Sequence, residues 1–229
     1  MNKIEGMHHL AIGTADIKGQ IAYFTDVLGM ELVALYWMHG VENTFHGFLR
    51  LNDESSLAFV QSPDFAEIPT TLGQTHAGSP GGLCAPGTMQ HLALKVKDDD
   101  ELMAMQDRIR SRGVPVLGPI DHGFCKSIYF AGLENLTLEL SYSNEAINGD
   151  AWIDPEGMEL AGITAAEVAV YRKPARHEAE GQPRPQPDSS GPGPHMQGYS
   201  ADAYQRLMAM PDEKVQQRMS VTEPPVRVD

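Results

Sequence analysis

Residues 7–12 read Met-His-His-Leu-Ala-Ile, and residues 89–94 repeat this pattern as Met-Gln-His-Leu-Ala-Leu, 82 residues further along the chain. Each copy is followed by an acidic residue, Asp16 in the first and Asp98 in the second. A helical spacing of apolar residues comes next in both copies. Self-similarity at a fixed distance predicts that one supersecondary unit is built twice.

The pattern after each repeat predicts one helix and then three strands. The first helix should end at Gly29 and the second at Gly113, because glycine favours the left-handed conformation that stops a helix. The strand-like runs are residues 32–37, 44–51, 56–61, 114–119, 126–131 and 137–142. This order indicates an α+β fold of two paired βαβββ modules, at about residues 5–62 and 88–143, rather than a doubly wound parallel sheet.

The composition changes near residue 145, which predicts a domain of residues 1–145 and a C-terminal extension of residues 146–229. Residues 182–194 are rich in proline and glycine, and such a stretch favours neither a helix nor a strand ladder. Two short helices are predicted after it, at residues 202–210 and 212–219. The extension is interpreted as a partly irregular arm or lid.

Charge and cysteine content exclude several classes of function. With 17 Lys and Arg against 31 Asp and Glu, the 229-residue chain carries a formal charge of −14, which argues against nucleic-acid or membrane binding. No apolar run is long enough to span a bilayer, and the first residues lack a signal core. Two cysteines, Cys84 and Cys125, fit a reducing compartment, so a cytoplasmic protein is expected.

Alternation along the strands assigns the side chains to two faces of each sheet. The aliphatic residues of each strand should pack on the helices. His9, His91, Tyr129 and Glu139 should then share the opposite, concave face. Two imidazoles and one carboxylate form the facial triad that holds a divalent ion, typically Fe(II), and leaves adjacent positions open. We therefore expect a metal site at His9, His91 and Glu139.

The sequence resembles the vicinal-oxygen-chelate superfamily, which includes glyoxalases, bleomycin-resistance proteins and type I extradiol dioxygenases. The resemblance rests on His9-Leu10-Ala11-Ile12 with Tyr23-Phe24 and Leu28-Gly29, on Gln90-His91-Leu92-Ala93-Leu94, and on Ser127-Ile128-Tyr129-Phe130 followed by Leu138-Glu139-Leu140. It implies that the two modules form a cup-shaped mixed sheet around one metal held by His9, His91 and Glu139. His8 is a second-choice ligand.

Residues 121–140 are most similar to the extradiol ring-cleavage dioxygenases. In those enzymes a Tyr ten residues before the ligand Glu hydrogen-bonds the bound catecholate, and Tyr129 has this spacing. The resemblance also implies that His122 lies near the substrate, and it implies an acid-base His about fifteen residues before the second ligand, a spacing that His76 has. Either His76 or His122 would then move the proton of the substrate. His46 is expected to line the cavity. The implied cofactor is Fe(II), and Mn(II) accepts the same ligands.

These residue types suit the cleavage of a catechol by dioxygen. An imidazole with an unperturbed pKa near 6.5 can accept a phenolic proton at neutral pH and return it later. A tyrosine hydroxyl can donate to a developing alkoxide. The expected partners are a small aromatic diol and O2. Exposed edge strands and the long extension also predict a homodimer or higher homo-oligomer.

Two further classes of protein stay open at this stage. A non-oxidative lyase, isomerase, epimerase or transferase of the same fold is the main alternative. Lyases and epimerases generally need a further carboxylate near Leu57-Ala58-Phe59, where the sequence has none. A binding protein without catalysis is the third class, but the metal triad argues against it. The turn at residues 131–136 also lacks the Asp-Pro-x-Gly pattern that ring-cleaving members usually carry.

Overall fold

The computed structural model describes residues 4–178, 181–182 and 184–228. Contacts divide this part of the chain into two compact units. One unit is Glu5–Gly162, and the other contains Ile163 and the residues that follow it, together with Ile4. The first unit holds both repeated motifs, so the candidate site lies there.

The first module is a four-stranded sheet with one helix. Strand β1 runs parallel to β4, and the remaining neighbours are antiparallel, which gives the order β1-β4-β3-β2. A short 3₁₀ helix, Pro63–Glu67, follows the sheet. The elements are β1 (His9–Gly13), α1 (Ile17–Leu28), β2 (Leu32–Trp37), β3 (Phe45–Arg50) and β4 (Ser56–Gln61).

The second module repeats the first. Its strands have the order β5-β8-β7-β6, with β5 parallel to β8 and the other pairs antiparallel. The elements are β5 (Leu92–Lys95), α2 (Asp99–Ser111), β6 (Val116–Asp121), β7 (Lys126–Ala131) and β8 (Thr137–Tyr142), with a 3₁₀ turn at Leu133–Asn135. The predicted α+β fold with two βαβββ modules is confirmed.

Both module helices begin and end for local reasons. The Asp16 carboxylate accepts a hydrogen bond from the Gly19 amide at 2.9 Å, which satisfies a free donor of the first turn of α1. Asp98 does the same for the Glu101 amide of α2 at 3.1 Å. Gly29 ends α1 with a φ of 76°, a left-handed conformation that glycine adopts without steric cost.

The two modules meet through their helix-covered sides. Helix α1 contacts α2, and the buried apolar residues of both modules form one continuous core that includes Phe24, Phe59, Leu102 and Leu138. The opposite faces of the sheets are open at their edge strands, because every second residue of β1 and β5 is exposed. Hydrophobic burial therefore accounts for the helix side of each sheet. On the other side the edge strands are exposed, whereas residues of the central strands such as Tyr129 and Glu139 are buried.

This packing differs in one respect from the predicted cup. Within the described residues the modules form two separate four-stranded sheets that share no backbone ladder, where one continuous cup-shaped sheet was predicted. Alternation along a strand predicts which side chains share a face of one sheet. It carries no information about how two sheets are arranged.

Five short helices form the C-terminal extension. They are α3 (Gly149–Trp152), α4 (Pro155–Ala161), α5 (Ala165–Arg172), α6 (Ala201–Met208) and α7 (Asp212–Met219). The last two confirm the sequence prediction. The first three were missed because they are too short for a clear apolar period, although each has a capping side chain, at Asn148, Asp154 and Thr164. No helix in the described part of the chain is long and apolar enough to cross a membrane.

Candidate functional site

A histidine and a buried carboxylate lie together on the open face of the second module. Glu139 is in the middle of β8 and is only 5% exposed. His91 directly precedes β5, the neighbouring strand, and its Nε2 lies 3.1 Å from the Glu139 Oε2. The predicted pairing of these two residues on one face is therefore present. A buried carboxylate needs a positive or donating partner, and the His91 ring is the group that the described ion pairs bring next to it.

Gln90 determines which nitrogen of His91 carries the proton. The Gln90 Nε2 lies 2.9 Å from the Pro80 carbonyl and 3.1 Å from the Gly82 carbonyl, so this atom is the donating end of the amide. The Gln90 Oε1 therefore faces His91 and accepts a hydrogen bond from its Nδ1. A neutral imidazole with a proton on Nδ1 has a lone pair on Nε2, the atom that faces Glu139.

The His91–Glu139 pair fits a divalent metal ion. In this tautomer the two facing atoms are both acceptors, and they repel each other at 3.1 Å unless a cation or a proton lies between them. Two metal-ligating atoms that each lie about 2.1 Å from an ion, at right angles to each other, are separated by about 3 Å. Neutral imidazole and carboxylate are also ligand types that bind Fe(II) and Mn(II).

Tyr129 and His122 form a second pair beside the first. Tyr129 lies opposite Glu139 in the β7–β8 ladder, and its hydroxyl is 2.9 Å from the Nε2 of His122. Burial raises the pKa of the Tyr129 hydroxyl, a hydrogen bond with Ser127 opposes this rise, and the charge of Glu139 adds to it. The phenol therefore keeps its proton at neutral pH and can donate it in a hydrogen bond.

The remaining histidines of the predicted site belong to the first module. His9 begins β1, and its ring contacts the rings of Phe48 and His46. The His8 Nδ1 lies 2.8 Å from the His9 Nδ1, so the second-choice ligand also belongs to this module. Burial lowers the pKa of His46, and the charge of His9 lowers it further. Among the described residues, the buried His46 Nε2 has no hydrogen-bond partner.

One chain does not bring the three predicted ligands together. Across residues 4–178, 181–182 and 184–228, no three His, Cys, Asp or Glu side chains are close enough to hold a metal ion. His91 and Glu139 form two thirds of the predicted triad, and His9 lies on the other module. The physical reason is that the modules pack through α1 and α2, which leaves the two open faces apart.

His76 lies in a different environment from the one predicted for an acid-base residue. Its Nδ1 is 2.9 Å from the Thr75 hydroxyl, and it lines a cavity of about 440 Å³ with Phe65 and Glu134. No described contact joins His76 to the His91–Glu139 pair or to Tyr129. The spacing of fifteen residues before His91 does not determine the position of His76, because the intervening loop has its own turns.

Gln90 is a residue of the candidate site that sequence reasoning missed. It lies inside the repeated motif, directly before His91, but an amide at this position has no signal in spacing or alternation. Its role depends on the carbonyl groups of Pro80 and Gly82, which the loop folds back to it. Only a precise prediction of that loop would have revealed it.

The fold and the site together define a class of protein. It has two βαβββ modules, and each presents a histidine at or next to its edge strand, on the face that the helices leave open. The chain belongs to the Glyoxalase/Bleomycin resistance protein/Dioxygenase superfamily, whose family model matches residues 6–141. This result confirms the resemblance seen in the sequence. The superfamily contains metal-dependent enzymes as well as resistance proteins, so membership alone does not identify the reaction.

The chain is also similar, at low identity, to several solved structures. No curated protein matches the chain. A glyoxylase/bleomycin resistance protein/dioxygenase domain from Frankia sp. EAN1pec is 13% identical, with a TM-score of 0.48, over 62% of this chain and 100% of that one. TnmS3, an antibiotic binding protein from Streptomyces sp. CB03234, is 18% identical, with a TM-score of 0.45, over 63% and 100%. The fosfomycin resistance protein FosX from Listeria monocytogenes, complexed with Mn(II) and sulfate, is 17% identical, with a TM-score of 0.41, over 62% and 95%.

Proposed function

We propose that this protein is a metal-dependent extradiol dioxygenase, which cleaves a catecholic ring with O2 at a site completed by two copies of the chain. His91 and Glu139 of one copy and His9 of the other would hold the metal ion. The observation that carries the proposal is the pair of acceptor atoms, His91 Nε2 and Glu139 Oε2, that face each other at 3.1 Å on an open sheet face. Such a pair is two thirds of a facial triad.

A second copy is the source of the third ligand because of how each chain buries its surface. The helix-covered sides of both modules are already buried in the shared core. The edge strands β1 and β5 keep one hydrogen-bonding edge free in the described chain, and their site-facing residues are exposed. Placing β1 of one copy beside β5 of the other would cover both faces and bring His9 to the pair. A two-fold dimer would form two such sites.

The aromatic lining beside His9 favours a flat ring as the substrate. The Tyr36 and Phe48 rings lie parallel with centroids 6.2 Å apart, and the His46 ring lies 4.4 Å from that of Phe48. Stacked and edge-on contacts with such a wall stabilise an aromatic ligand. In the dimer this wall would face Tyr129 and His122, which supply a hydroxyl donor and an imidazole for the two vicinal oxygens of a catechol.

Each residue has a defined task in this proposal. Bound Fe(II) would supply the charge that favours a catecholate and the electrons that activate dioxygen. Tyr129, which stays protonated, donates a hydrogen bond to a substrate oxygen. The His122 imidazole, 2.9 Å from that hydroxyl, accepts a phenolic proton and returns it after ring opening.

A second candidate is a non-oxidative metal-dependent transferase of the glyoxalase type. The strand register weakens the lyase, isomerase and epimerase forms of this alternative. Ala93 pairs with Glu139 in the second module, and the repeat-related Ala11 pairs with Ala58 in the first. The position equivalent to Glu139 is therefore an alanine, which supplies neither a fourth ligand nor a second base. A transferase needs only three ligands, and so it remains the alternative.

The proposal is tested by metal content and oxygen uptake. We expect anaerobically purified protein to hold about one iron per chain and to consume O2 with a yellow ring-opened product when catechol and air are added. His91→Ala and Glu139→Ala should remove metal and activity together, whereas Tyr129→Phe should keep the metal and slow turnover. Bound Mn or another divalent metal without O2 uptake on any catechol would favour the transferase instead.

Complementation of two inactive variants tests the origin of His9. In a mixed dimer of His9→Ala and Glu139→Ala chains, one of the two sites receives three intact ligands if His9 comes from the other copy. Random association makes half of the dimers mixed, so co-expression should restore about a quarter of the wild-type iron and activity. The double variant His9→Ala/Glu139→Ala, expressed alone, is the control. Restoration no greater than this control would show that no site is shared between chains.

A further inference from the structure

Gln90 connects the candidate metal ligand to a loop on the same face of the second module. Its Oε1 accepts the hydrogen bond from His91 Nδ1. Its Nε2 lies 3.4 Å from the Ser79 carbonyl, 2.9 Å from that of Pro80 and 3.1 Å from that of Gly82. One amide group therefore holds an imidazole with one end and three carbonyls of the loop with the other.

This loop forms the roof of a cavity of about 410 Å³. The roof residues are Gly78, Ser79 and Pro80. The rest of the lining comes from β6, β7 and β8 and from the residues just before β6 and β8. It includes the site-facing residues Leu117, Tyr129, Ala131 and Thr137. Tyr129 is paired with Glu139, so the cavity adjoins the His91–Glu139 pair. Its lining is mainly apolar, which suits the non-polar body of a substrate whose oxygens reach Tyr129.

We propose that Gln90 is a positioning residue that couples the orientation of His91 to the closure of the roof formed by residues 78–82. The coupling follows from the shared amide, because any rotation of the imidazole that moves Gln90 Oε1 also moves the Nε2 that holds the roof carbonyls. Metal binding that locks His91 then also locks the roof over the cavity. The role of the cavity as the substrate site rests on the proposed function, whereas the link between His91 and the loop does not.

Two variants of Gln90 separate the two ends of the amide. Gln90→Glu keeps an oxygen that accepts from His91 Nδ1, but it places a carboxylate against the roof carbonyls, which need donors. Gln90→Met has nearly the same length and makes neither interaction. Gln74→Glu and Gln74→Met are matched controls, because the Gln74 side chain is exposed in the same loop region.

The first measurement uses metal-free protein of full length. We expect hydrogen exchange of the backbone amides of Ser79, Gly81 and Gly82 to become about tenfold faster in both Gln90 variants, since the roof loses its donor. In ¹⁵N-histidine spectra, His91 should keep its Nδ1 proton in Gln90→Glu and become a mixture of tautomers in Gln90→Met. The His91 signal is assigned by its absence from the His91→Gln spectrum. Unchanged exchange in both variants, or the same tautomer in Gln90→Met as in the wild type, would overturn the proposal.

The second measurement adds Fe(II) under anaerobic conditions. In the wild type and in the Gln74 controls, metal loading should slow exchange of residues 79–82 by about tenfold, because binding and loop closure are linked. In Gln90→Glu and Gln90→Met the loop should exchange at the same rate with and without metal. Metal-dependent protection of the loop that survives in Gln90→Met would show that another contact carries the coupling.

These two experiments keep the failure of the inference apart from the failure of the proposed function. If the wild type binds no metal, the proposed function fails, and the metal-free exchange and tautomer results alone decide whether Gln90 holds the imidazole and the loop. If the wild type binds metal but both Gln90 variants behave like the Gln74 controls, the proposed function stands and the coupling is refuted.

Discussion

Replacing Glu134 with alanine should loosen the contact between the two modules. Glu134 lies in the turn between β7 and β8, and its carboxylate extends to the start of α1 in the first module. It accepts hydrogen bonds from the Thr14 hydroxyl at 2.6 Å, the Ala15 amide at 2.8 Å and the Gln20 Nε2 at 2.8 Å. The residue has a φ of 52°, and alanine keeps the same Cβ, so the substitution changes the hydrogen bonds and not the backbone strain.

The expected loss of stability follows from the burial of the donors. Thr14 is 2% exposed and Gln20 is 1% exposed, so neither can replace the carboxylate with bulk water. A buried donor without a partner costs about 1–3 kcal/mol, whereas the amide of exposed Ala15 can bond to water. We therefore expect Glu134→Ala to lower the free energy of unfolding by about 3 kcal/mol, a large part of the 5–15 kcal/mol that is typical of domains.

Urea unfolding of metal-free protein measures this loss. The two tryptophans, Trp37 and Trp152, both lie in the unit Glu5–Gly162, so their fluorescence reports on the modules. At an m-value of about 2 kcal/mol per molar urea, the midpoint should fall by about 1.5 M at equal protein concentration. The control is Glu54→Ala, an exposed loop position that should change the stability by less than about 0.5 kcal/mol.

A Glu134→Ala variant whose free energy of unfolding lies within about 1 kcal/mol of the wild type would show that the buried donors have found other partners. Glu134→Gln serves where the alanine variant does not fold. It keeps one acceptor oxygen and should lose about half as much stability. A glutamine variant as stable as the wild type would contradict the role of the carboxylate equally.

Three further perturbations have outcomes that depend on single contacts. The Tyr23 hydroxyl donates to the Ala131 carbonyl at 2.6 Å, and burial raises its pKa to about 12. The unfolded chain therefore loses this proton at a lower pH than the folded chain, and stability should fall as the pH rises above 10. Tyr23→Phe should flatten that part of a pH series of urea midpoints, and an unchanged slope would mean that Tyr23 is not its source. Gly123→Ala should lower the thermal midpoint, because a Cβ there would lie 2.7 Å from the Trp152 ring at a φ of +85°, and an unchanged midpoint and Trp152 emission would disprove this contact. Arg108→Met should cost about 2 kcal/mol in urea unfolding, because the guanidinium donates to carbonyls in the last turn of α1 at 2.8 and 2.9 Å, whereas a loss below 0.5 kcal/mol would mean that water replaces it.

The elements of the fold were predictable because their signals are local. The repeat of residues 7–12 at residues 89–94 predicted two modules, and alternation along β1, β5, β7 and β8 placed His9, His91, Tyr129 and Glu139 on the open faces. Within each module the inferences use residues that are two to four positions apart, the distance over which a strand or a helix repeats itself. The pairing of His91 with Glu139 followed from a strand order that the family resemblance implied.

Contacts between distant residues were decided by the tertiary structure. The turn at residues 131–136 looked like a departure from the expected pattern, and the structure shows its use: Glu134 bonds to Thr14, 120 positions away. The contact of Gln90 with its loop and the position of His76 could not be predicted either. Both depend on backbone carbonyls and loop turns, which carry no residue-specific signal in the sequence.

The sequence by itself therefore determined the two modules, their helices and strands, and the face on which each site residue lies. It did so because a helix or strand that buries one side carries apolar residues at a short, regular spacing along the chain. Only the tertiary structure decided that α1 and α2 meet in one core and that His9 lies apart from His91 and Glu139. That arrangement depends on many weak apolar contacts between residues that are far apart in the sequence, so no short stretch of sequence predicts it.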